Sequence, residues 1–162
     1  MRIELINRIN KSDLKGFDCG SEELNTFLKC FAHQNDKSRM GRTFVLMDNS
    51  VPAGFVTLCS GSIDFNELPK NIKLPRYPIP AIRIARLGVD KNYQGKGCGK
   101  ELLSYSLEKI AFLANFIGVK FVVVDAKDSA RSFYEHFGFV SLPSKPNVLI
   151  LPIETVLRAF DK

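Results

Sequence analysis

Apolar residues recur along this chain at two spacings, one typical of strands and one of helices. The segments 2–6, 43–47 and 53–60 read as strands, and the last two flank an Asp-Asn-Ser turn, so they predict a hairpin. A helix is predicted after Ser21, which can cap an acidic first turn. Its apolar residues return every three or four positions and form one face: Leu24, Phe27, Leu28 and Phe31.

The second half of the chain alternates strands with helices. A connecting loop over 64–80 holds four prolines, has room for one short helix and leads to a strand at 81–89. A helix from about Gly97 to Ala114 places one apolar face at Leu103, Leu107, Ile110 and Ala114. The wholly apolar run 121–124 predicts a central strand covered on both faces. The remaining predicted elements are a helix capped by Asp128 and ended by Gly138, strands at 139–141 and 148–151, and a helical turn from Glu154.

A glycine-rich turn joins the strand at 81–89 to the long helix that follows it. Gly95, Gly97 and Gly99 let the backbone approach ligand oxygens, and Lys96 and Lys100 add positive charge. Unpaired N–H groups at a helix start, with the helix dipole, favour an anion there. The turn therefore predicts a phosphate site, although the glycines alone fit equally well an ordinary turn before a surface helix.

Two common phosphate loops are excluded by this turn. A Walker A loop needs Ser or Thr directly after its lysine, and Glu101 follows Lys100. A dinucleotide fingerprint has the spacing Gly-x-Gly-x-x-Gly at the start of a βαβ unit, and neither condition holds here.

The turn instead resembles the pyrophosphate loop Gln/Arg-x-x-Gly-x-Gly/Ala of the GNAT superfamily of N-acetyltransferases, which here reads Gln94-Gly-Lys-Gly-Cys-Gly99 after Leu87-Gly-Val-Asp90. A second segment, Ala130-Arg-Ser-Phe-Tyr-Glu-His-Phe-Gly-Phe139, is similar to that family's Ala-x-x-Phe-Tyr-x-x-x-Gly-Phe motif. The resemblance covers residues from about 40 to 151. The family's early asparagine after the fifth strand is absent, because Ala126-Lys-Asp128 stands there.

The resemblance implies an α/β (α+β) fold: a mixed, mostly antiparallel sheet of six to seven strands, with helices on both faces and a splay between two central parallel strands. It also implies acetyl-CoA as cosubstrate. The backbone of Leu87, Gly88 and Val89 would bond the pantetheine arm like an added strand. The remaining implied cofactor-binding residues are those of the loop and of the second motif: Gln94, Gly95, Lys96, Gly97, Cys98, Gly99, Lys100 and Phe133.

By the same resemblance, Tyr134 is the candidate catalytic acid. A tyrosine hydroxyl, with a pKa of about 10, is protonated at neutral pH and can donate to a departing thiolate. Position alone would favour a core tyrosine on a helix face. Asp90 and Asp125 end strands near the motifs, but each fits a turn or cap role better than that of a general base. A site without a strong base favours α-amines, of which about one in ten is neutral at pH 7, against about one in 2,500 for lysine.

Length and composition fit a single domain, residues 1–162, expected in the cytoplasm. Apolar residues make up 45% and charged residues 25% of the chain, and the net charge is +6, which would attract an acidic cofactor or RNA. No apolar stretch is long enough to cross a membrane, and no signal peptide is recognised. The four cysteines have no metal-ligand or disulfide spacing, so no metal is expected; a nucleophilic role for Cys98 stays open.

The N-terminal half resembles one branch of the family, the acetyltransferase toxins of bacterial toxin–antitoxin modules. The segments that carry this resemblance are Phe17-Asp-Cys-Gly-Ser-Glu-Glu-Leu-Asn25, Arg42-Thr-Phe-Val45 and Arg86-Leu-Gly-Val-Asp90. Such toxins acetylate the α-amine of an aminoacyl-tRNA and are usually neutralised by a ribbon–helix–helix antitoxin. We expect four basic residues to contact tRNA phosphates: Lys37, Arg39, Arg42 and Arg86.

Two other functions stay open at this point. The chain could acetylate a small metabolite amine or a protein amine, or it could be a non-catalytic module that binds acetyl-CoA or RNA. The acceptor, the existence of an antitoxin and a homodimeric state are not determined by the sequence.

Overall fold

The computed structural model describes residues 1–160, which form seven strands and five α-helices. The strands are β1 (Arg2–Leu5), β2 (Arg42–Asp48), β3 (Val51–Ile63), β4 (Ile79–Val89), β5 (Phe121–Asp125), β6 (Val140–Ser141) and β7 (Val148–Pro152). The helices are α1 (Glu22–Thr26), α2 (Ala32–Lys37), α3 (Cys98–Leu113), α4 (Asp128–His136) and α5 (Ile153–Phe160). A π-helical turn, Phe27–Phe31, lies between α1 and α2.

The strands form one sheet in the order β1-β2-β3-β4-β5-β7-β6. The pairs β1–β2, β2–β3, β5–β7 and β6–β7 are antiparallel, whereas β4 and β5 are parallel. The parallel pairing covers Ala81–Ile84 of β4, although that strand continues to Val89. The predicted fold class, a mixed and mostly antiparallel sheet with a parallel central pair, is confirmed.

The chain forms two compact units. The elements β3, β4 and α3 each have residues in both units. The first contains Met1–Cys59 and Ala85–Ser106, and the second contains Ser60–Ile84 and the chain from Leu107 onward. The core of the first is built on the rings of Phe17, Phe27 and Phe55, with the Phe17 and Phe55 centroids 5.7 Å apart. The core of the second contains the β5 residues Phe121 and Val123. All four apolar residues of β5 are buried, as the unbroken apolar run predicts.

The predicted apolar face of the first helix is wrong at one position. Phe27 and Leu28 are buried, but the side chain of Phe31 is 58% exposed. The cause is the π-helical turn, in which the N–H of Ala32 donates to the carbonyl of Phe27, five residues earlier. One extra residue in the turn shifts the helical phase, so that the fourth apolar position of the pattern faces outward.

Other differences concern helix ends and strand lengths. Asp128 is not the N-cap of α4: Lys127 occupies that position without a side-chain hydrogen bond, and Asp128 lies in the first turn, 3.6 Å from Arg131. Strand β3 extends to Ile63, and β4 begins at Ile79, directly after Pro78. The expected last helical turn is the longer helix α5. Gly138 ends α4 as predicted, with a φ of 95°.

Two strands and a helix approach closely at Gly54 on β3. A Cβ on this residue would lie 2.9 Å from the carbonyl oxygen of Gly88 and 2.8 Å from Cδ1 of Leu102. Real Cβ atoms essentially never come so near to backbone. The absence of a side chain at Gly54 therefore lets β3, β4 and α3 pack together.

We predict that Gly54→Ala destabilises the fold by about 1–3 kcal/mol, the usual cost of overpacking a filled core. Urea denaturation of the purified variant measures this. Gly61→Ala on the same strand is the matched control, because its Cβ would meet only Arg83, at an ordinary 3.8 Å. Equal unfolding midpoints for the two variants would show that the contact at Gly54 is not tight.

Candidate active site

A buried carboxylate organises the turn that follows β4. Asp90, 6% exposed, accepts hydrogen bonds from the backbone N–H of Asn92 on Oδ1 (2.9 Å) and of Asp18 on Oδ2 (3.0 Å). It thereby caps the short 3₁₀ turn Lys91–Tyr93. The expectation that Asp90 is a cap residue is confirmed.

The segment around Asp18 forms the other side of this arrangement. The N–H of Lys91 donates to the Asp18 carbonyl at 2.8 Å, and the N–H of Asp90 donates to that of Ala53, also at 2.8 Å. The Asp18 carboxylate accepts from Gly20 N–H and from the Asn25 side chain, and it pairs with Lys91 at 3.3 Å. The Gly20, Asn25 and Lys91 hydrogen bonds lower the pKa of Asp18 to about 2, so it is ionised at neutral pH.

Gln94 holds the loop by its side-chain amide. Its Nε2 donates to the carbonyl of Val89 at 2.9 Å and to that of Cys19 at 3.2 Å. The side chain before it is also fixed, because the Tyr93 hydroxyl donates to Asp48 at 2.7 Å. Lys96 places its ammonium 5.6 Å from the centre of the Tyr93 ring. Gln94 therefore shapes the loop, and its side-chain amide is already engaged by two carbonyl oxygens.

The loop presents main-chain amides at the start of a helix of 16 residues. Gly95 and Gly97 have φ values of 77° and 85°, in the left-handed region that favours glycine, and a Cβ on either would meet nothing within 4 Å. The first intrahelical bond runs from Glu101 N–H to Gly97, which leaves the amides of residues 98–100 without acceptors inside the helix. Exposed Lys96 and Lys100 flank them. These features fit a pyrophosphate group.

Cys98, in the same loop, points into the protein. Its side chain is 3% exposed, and burial raises the pKa of its thiol. A nucleophilic cysteine needs a thiolate and access to its substrate. The geometry therefore disfavours the nucleophilic role that the sequence left open, and only the main chain of Cys98 is available to a ligand. Gly99 lies within α3.

The end of β4 carries the three residues expected to bond the pantetheine arm. Leu87 and Val89 are half-buried, whereas Gly88 is buried. A Cβ on Gly88 would lie 3.2 Å from the Phe55 ring and 3.4 Å from the Cys19 sulfur. At Gly88 the strand therefore packs directly against the core of the first unit.

In the second unit, α4 buries Tyr134 among aromatic rings. The tyrosine is 5% exposed, and its ring lies edge-on to those of Phe133 and Phe139 at 5.1 and 5.5 Å. Burial raises the pKa of Tyr134 well above its ordinary value, so the hydroxyl stays protonated at neutral pH. Phe133, the other residue expected at the cofactor, is half-buried. The second base candidate, Asp125, is paired with Arg83 at 2.6 Å.

Two of the four basic residues expected to bind tRNA have structural partners. Arg42 donates to Asp36 at 3.0 Å, and the Arg86 guanidinium lies 3.7 Å from the centre of the Phe27 ring. Lys37 and Arg39, at the end of α2 and in the turn after it, are exposed. Within residues 1–160 the structure contains no cluster of side chains suited to a metal ion, and no helix there is long and apolar enough to span a membrane.

Sequence reasoning missed the residues that hold the loop in place, namely Asp18, Asp48 and Tyr93. Their partners lie far along the chain: Asp48 is 45 residues from Tyr93, and Asp18 is 72 from Asp90. No local spacing marks such pairs. The one available signal is Asp90-Lys-Asn92, in which an aspartate two residues before an asparagine is typical of a capped turn.

Comparison with known proteins agrees with this geometry. Residues 39–141 match a family model described as an acetyltransferase (GNAT) domain. The chain is 34% identical to a probable toxin TacT of Sinorhizobium fredii over 91% of its own length and 88% of that protein's. It is also 34% identical to a tRNA-acetylating toxin of Mycobacterium tuberculosis, over 86% of this chain and 85% of the other.

Solved structures of similar proteins include two of AtaT. One is AtaT complexed with acetyl-methionyl-tRNAfMet, at 28% identity and a TM-score of 0.88, covering 98% of both chains. The other is an AtaT mutant toxin bound to the C-terminus of the antitoxin AtaR and acetyl-CoA, at 25% identity and a TM-score of 0.82, covering 99% of this chain and 98% of the other. The chain belongs to the GNAT acetyltransferase family. The predicted family and enzyme class are therefore confirmed.

We predict that Gln94→Ala weakens acetyl-CoA binding about five- to tenfold, since two hydrogen bonds that shape the loop are lost, each with a net value of about 1 kcal/mol or less when exposed. Isothermal titration calorimetry measures the affinity. Gln34→Ala, which removes an exposed glutamine from α2, is the matched control and should bind like the wild type. Unchanged affinity in Gln94→Ala would show that the loop keeps its shape without the amide.

Proposed function

We propose that this protein transfers an acetyl group from acetyl-CoA to the α-amine of an aminoacyl-tRNA and so blocks translation. The observation that carries the proposal is the 34% identity to a tRNA-acetylating toxin over 86% of the chain. The AtaT complex with an acetylated aminoacyl-tRNA supports it at the level of the fold. We place this activity in the cytoplasm, where charged tRNA is found. We also propose that an antitoxin binds this protein, as the antitoxin AtaR binds AtaT.

The cosubstrate supplies an acetyl group activated as a thioester. We assign its pyrophosphate to the loop amides of residues 95–100, with Lys96 and Lys100 supplying charge. We assign its pantetheine arm to the backbone of Leu87–Val89, which can pair with an extended ligand as a strand does. These contacts are mostly to the main chain, so they orient the thioester without placing another titratable group beside it.

We assign the role of general acid to Tyr134. As the C–S bond breaks, the departing sulfur becomes a thiolate, which is a strong base in a dry environment. The buried hydroxyl of Tyr134 keeps its proton because burial raises its pKa. The protonated form of the donor is therefore present across the whole physiological pH range. A positioned general acid contributes about 10²–10⁴ in rate.

An α-amine suits a site with this donor and without a carboxylate base. Of the two candidates on the strands, Asp90 is a cap and Asp125 is ion-paired. The acceptor must then arrive with its amine already neutral or lose a proton to water. An α-amine, with a pKa of about 7.7–8, does so far more readily than a lysine, with a pKa of about 10.4.

Lys37 and Arg39 are the residues we propose to contact tRNA phosphates. Both are exposed, whereas Arg42 and Arg86 are engaged with Asp36 and Phe27. We reassign those two arginines to fold support. Arg86 packs over a core ring next to the π-helical turn, and Arg42 pairs with a buried carboxylate at the end of α2.

The direct test supplies labelled acetyl-CoA to a panel of tRNAs charged with different amino acids, with uncharged tRNA, polyamines and peptides alongside. We expect label only in charged tRNA, in the N-acetylaminoacyl group, because the acceptor is the α-amine. Mild alkali releases the amino acid from the tRNA. Label that stays with the RNA after this treatment would place the acetyl group on the RNA and contradict the proposal. Label in polyamines or peptides alone would make the protein a metabolite or protein acetyltransferase.

We predict that Tyr134→Phe lowers kcat about a hundredfold or more and leaves the acetyl-CoA affinity nearly unchanged, since one proton donor is lost and no packing. For the wild type, kcat/KM should rise as the α-amine loses its proton near pH 8. It should not fall again below pH 10, because the donor's raised pKa keeps it protonated there.

Steady-state kinetics between pH 6 and 10 test both statements. Tyr105→Phe, which retains the ring that lies edge-on to that of Phe44 at 5.2 Å, is the control and should keep its activity. A wild-type rate that declines between pH 8 and 10, or full activity in Tyr134→Phe, would remove Tyr134 from the mechanism.

A further inference from the structure

A polar cleft in the second unit lies outside every site described above. It has a volume of about 410 Å³. Its walls come from the end of β3, the turn after it and the segment that enters β4: Ser62, Asp64, Phe65, Asn66, Arg76, Tyr77 and Pro78. Small-molecule sites usually measure about 300–1,000 Å³, so the cleft can hold one planar group of moderate size.

Both walls of the cleft have a defined backbone. On one side, Asp64 caps the turn Phe65–Glu67, accepting from the N–H of Asn66 at 2.9 Å. On the other, Tyr77 lies between Pro75 and Pro78, and its N–H donates to the Pro75 carbonyl at 3.0 Å. Proline fixes its own φ and restricts the residue before it. A ligand would thus meet a surface that needs little ordering.

The cleft combines flat surfaces with hydrogen-bonding groups. The Arg76 guanidinium lies 5.7 Å from the centre of the Phe65 ring, and the Tyr77 side chain is 59% exposed. An exposed tyrosine next to an arginine offers a stacking surface for a nucleobase. The side chains of Ser62, Asp64 and Asn66 provide donors and acceptors that match the edge of a base. These are the two kinds of contact by which proteins recognise unpaired nucleotides.

The distribution of charge favours a base inside the cleft and phosphates outside it. Asp64 would repel a phosphate from the interior. Arg76, Lys70 and Lys73 are exposed on the same segment of chain. The acidic Glu67 of that segment is paired with Lys145 at 2.9 Å, and so does not neutralise them. Lys73 lies between Ile72 and Leu74, which pack on the core of this unit, so its side chain is directed outward.

We propose that this cleft binds one unpaired nucleobase of the RNA substrate, with the adjacent phosphates on Lys70, Lys73 and Arg76. The proposal rests on the function proposed above, because it assigns the cleft to the same substrate. A paired base has its faces covered by its neighbours in the helix, so only an unpaired one can enter. The unpaired 3′ end of a tRNA supplies such bases next to the amino acid.

Binding of a fluorescein-labelled single-stranded RNA, ACCA, measured by anisotropy, tests the proposal, with a blunt RNA duplex as the comparison. We expect Tyr77→Ala to weaken ACCA binding about tenfold, in line with the loss of one stacked base, and Tyr77→Phe to bind like the wild type. Phe116→Ala, which removes another exposed aromatic (70%) from this unit, is the matched control and should have no effect. Arg76→Ala should weaken binding and reduce its salt dependence.

With charged tRNA as substrate, Tyr77→Ala should raise KM and leave kcat and acetyl-CoA affinity unchanged, which also shows that the variant is folded. The proposal is overturned if wild-type protein does not bind ACCA, if it binds the duplex equally well, or if Tyr77→Ala binds ACCA as Phe116→Ala does. If Tyr77→Ala acetylates charged tRNA with the KM of the wild type, the proposal for the cleft is overturned and the proposed function stands. If ACCA binding requires Tyr77 but the wild-type protein acetylates no charged tRNA, nucleobase binding by the cleft stands and the proposed function is removed.

Discussion

One buried carboxylate determines the shape of the first unit's functional end. Asp90 sits where β4 stops, and its two oxygens accept backbone N–H groups from Asn92, two residues ahead, and from Asp18, 72 residues behind. A buried charge is tolerated only when hydrogen-bonded, so the turn and the Asp18 segment must come together around it. From that junction the chain can leave the strand, pass through two left-handed glycines and begin α3 with its amides outward. The hydrogen bonds to Asp90 thus set where the loop begins, and those of Tyr93 and Gln94 hold the residues that follow.

The two motifs place different kinds of chemistry in the two units. In the first, the recognition groups are main-chain amides backed by lysines, which suit a charged and solvated pyrophosphate. In the second, the Tyr134 side chain is buried and its ring lies against aromatic rings, and burial keeps its hydroxyl protonated at neutral pH. The first region is rich in glycine and exposed, whereas the second contains the phenylalanines whose rings lie against Tyr134.

Local patterns predicted the strands, the long helix and both motifs, because alternation, helical periodicity and glycine positions are local properties of a chain. They failed at Phe31, where a π-helical turn changes the phase, and at Asp128, where the backbone selects Lys127 as N-cap. They also could not show that Arg42 and Arg86 are engaged by Asp36 and Phe27, or that Cys98 points inward. Those facts depend on contacts between distant segments, which no spacing along the sequence encodes.

The way in which Gln94 is used has an evolutionary consequence. Its amide binds two carbonyl oxygens, and the loop it steadies offers mainly peptide groups to the ligand. Peptide groups are the same whatever side chains surround them. A substitution of the exposed Lys96 can therefore change the charge of the loop and leave these peptide groups in place. Divergence is then free to act on other surfaces of the protein.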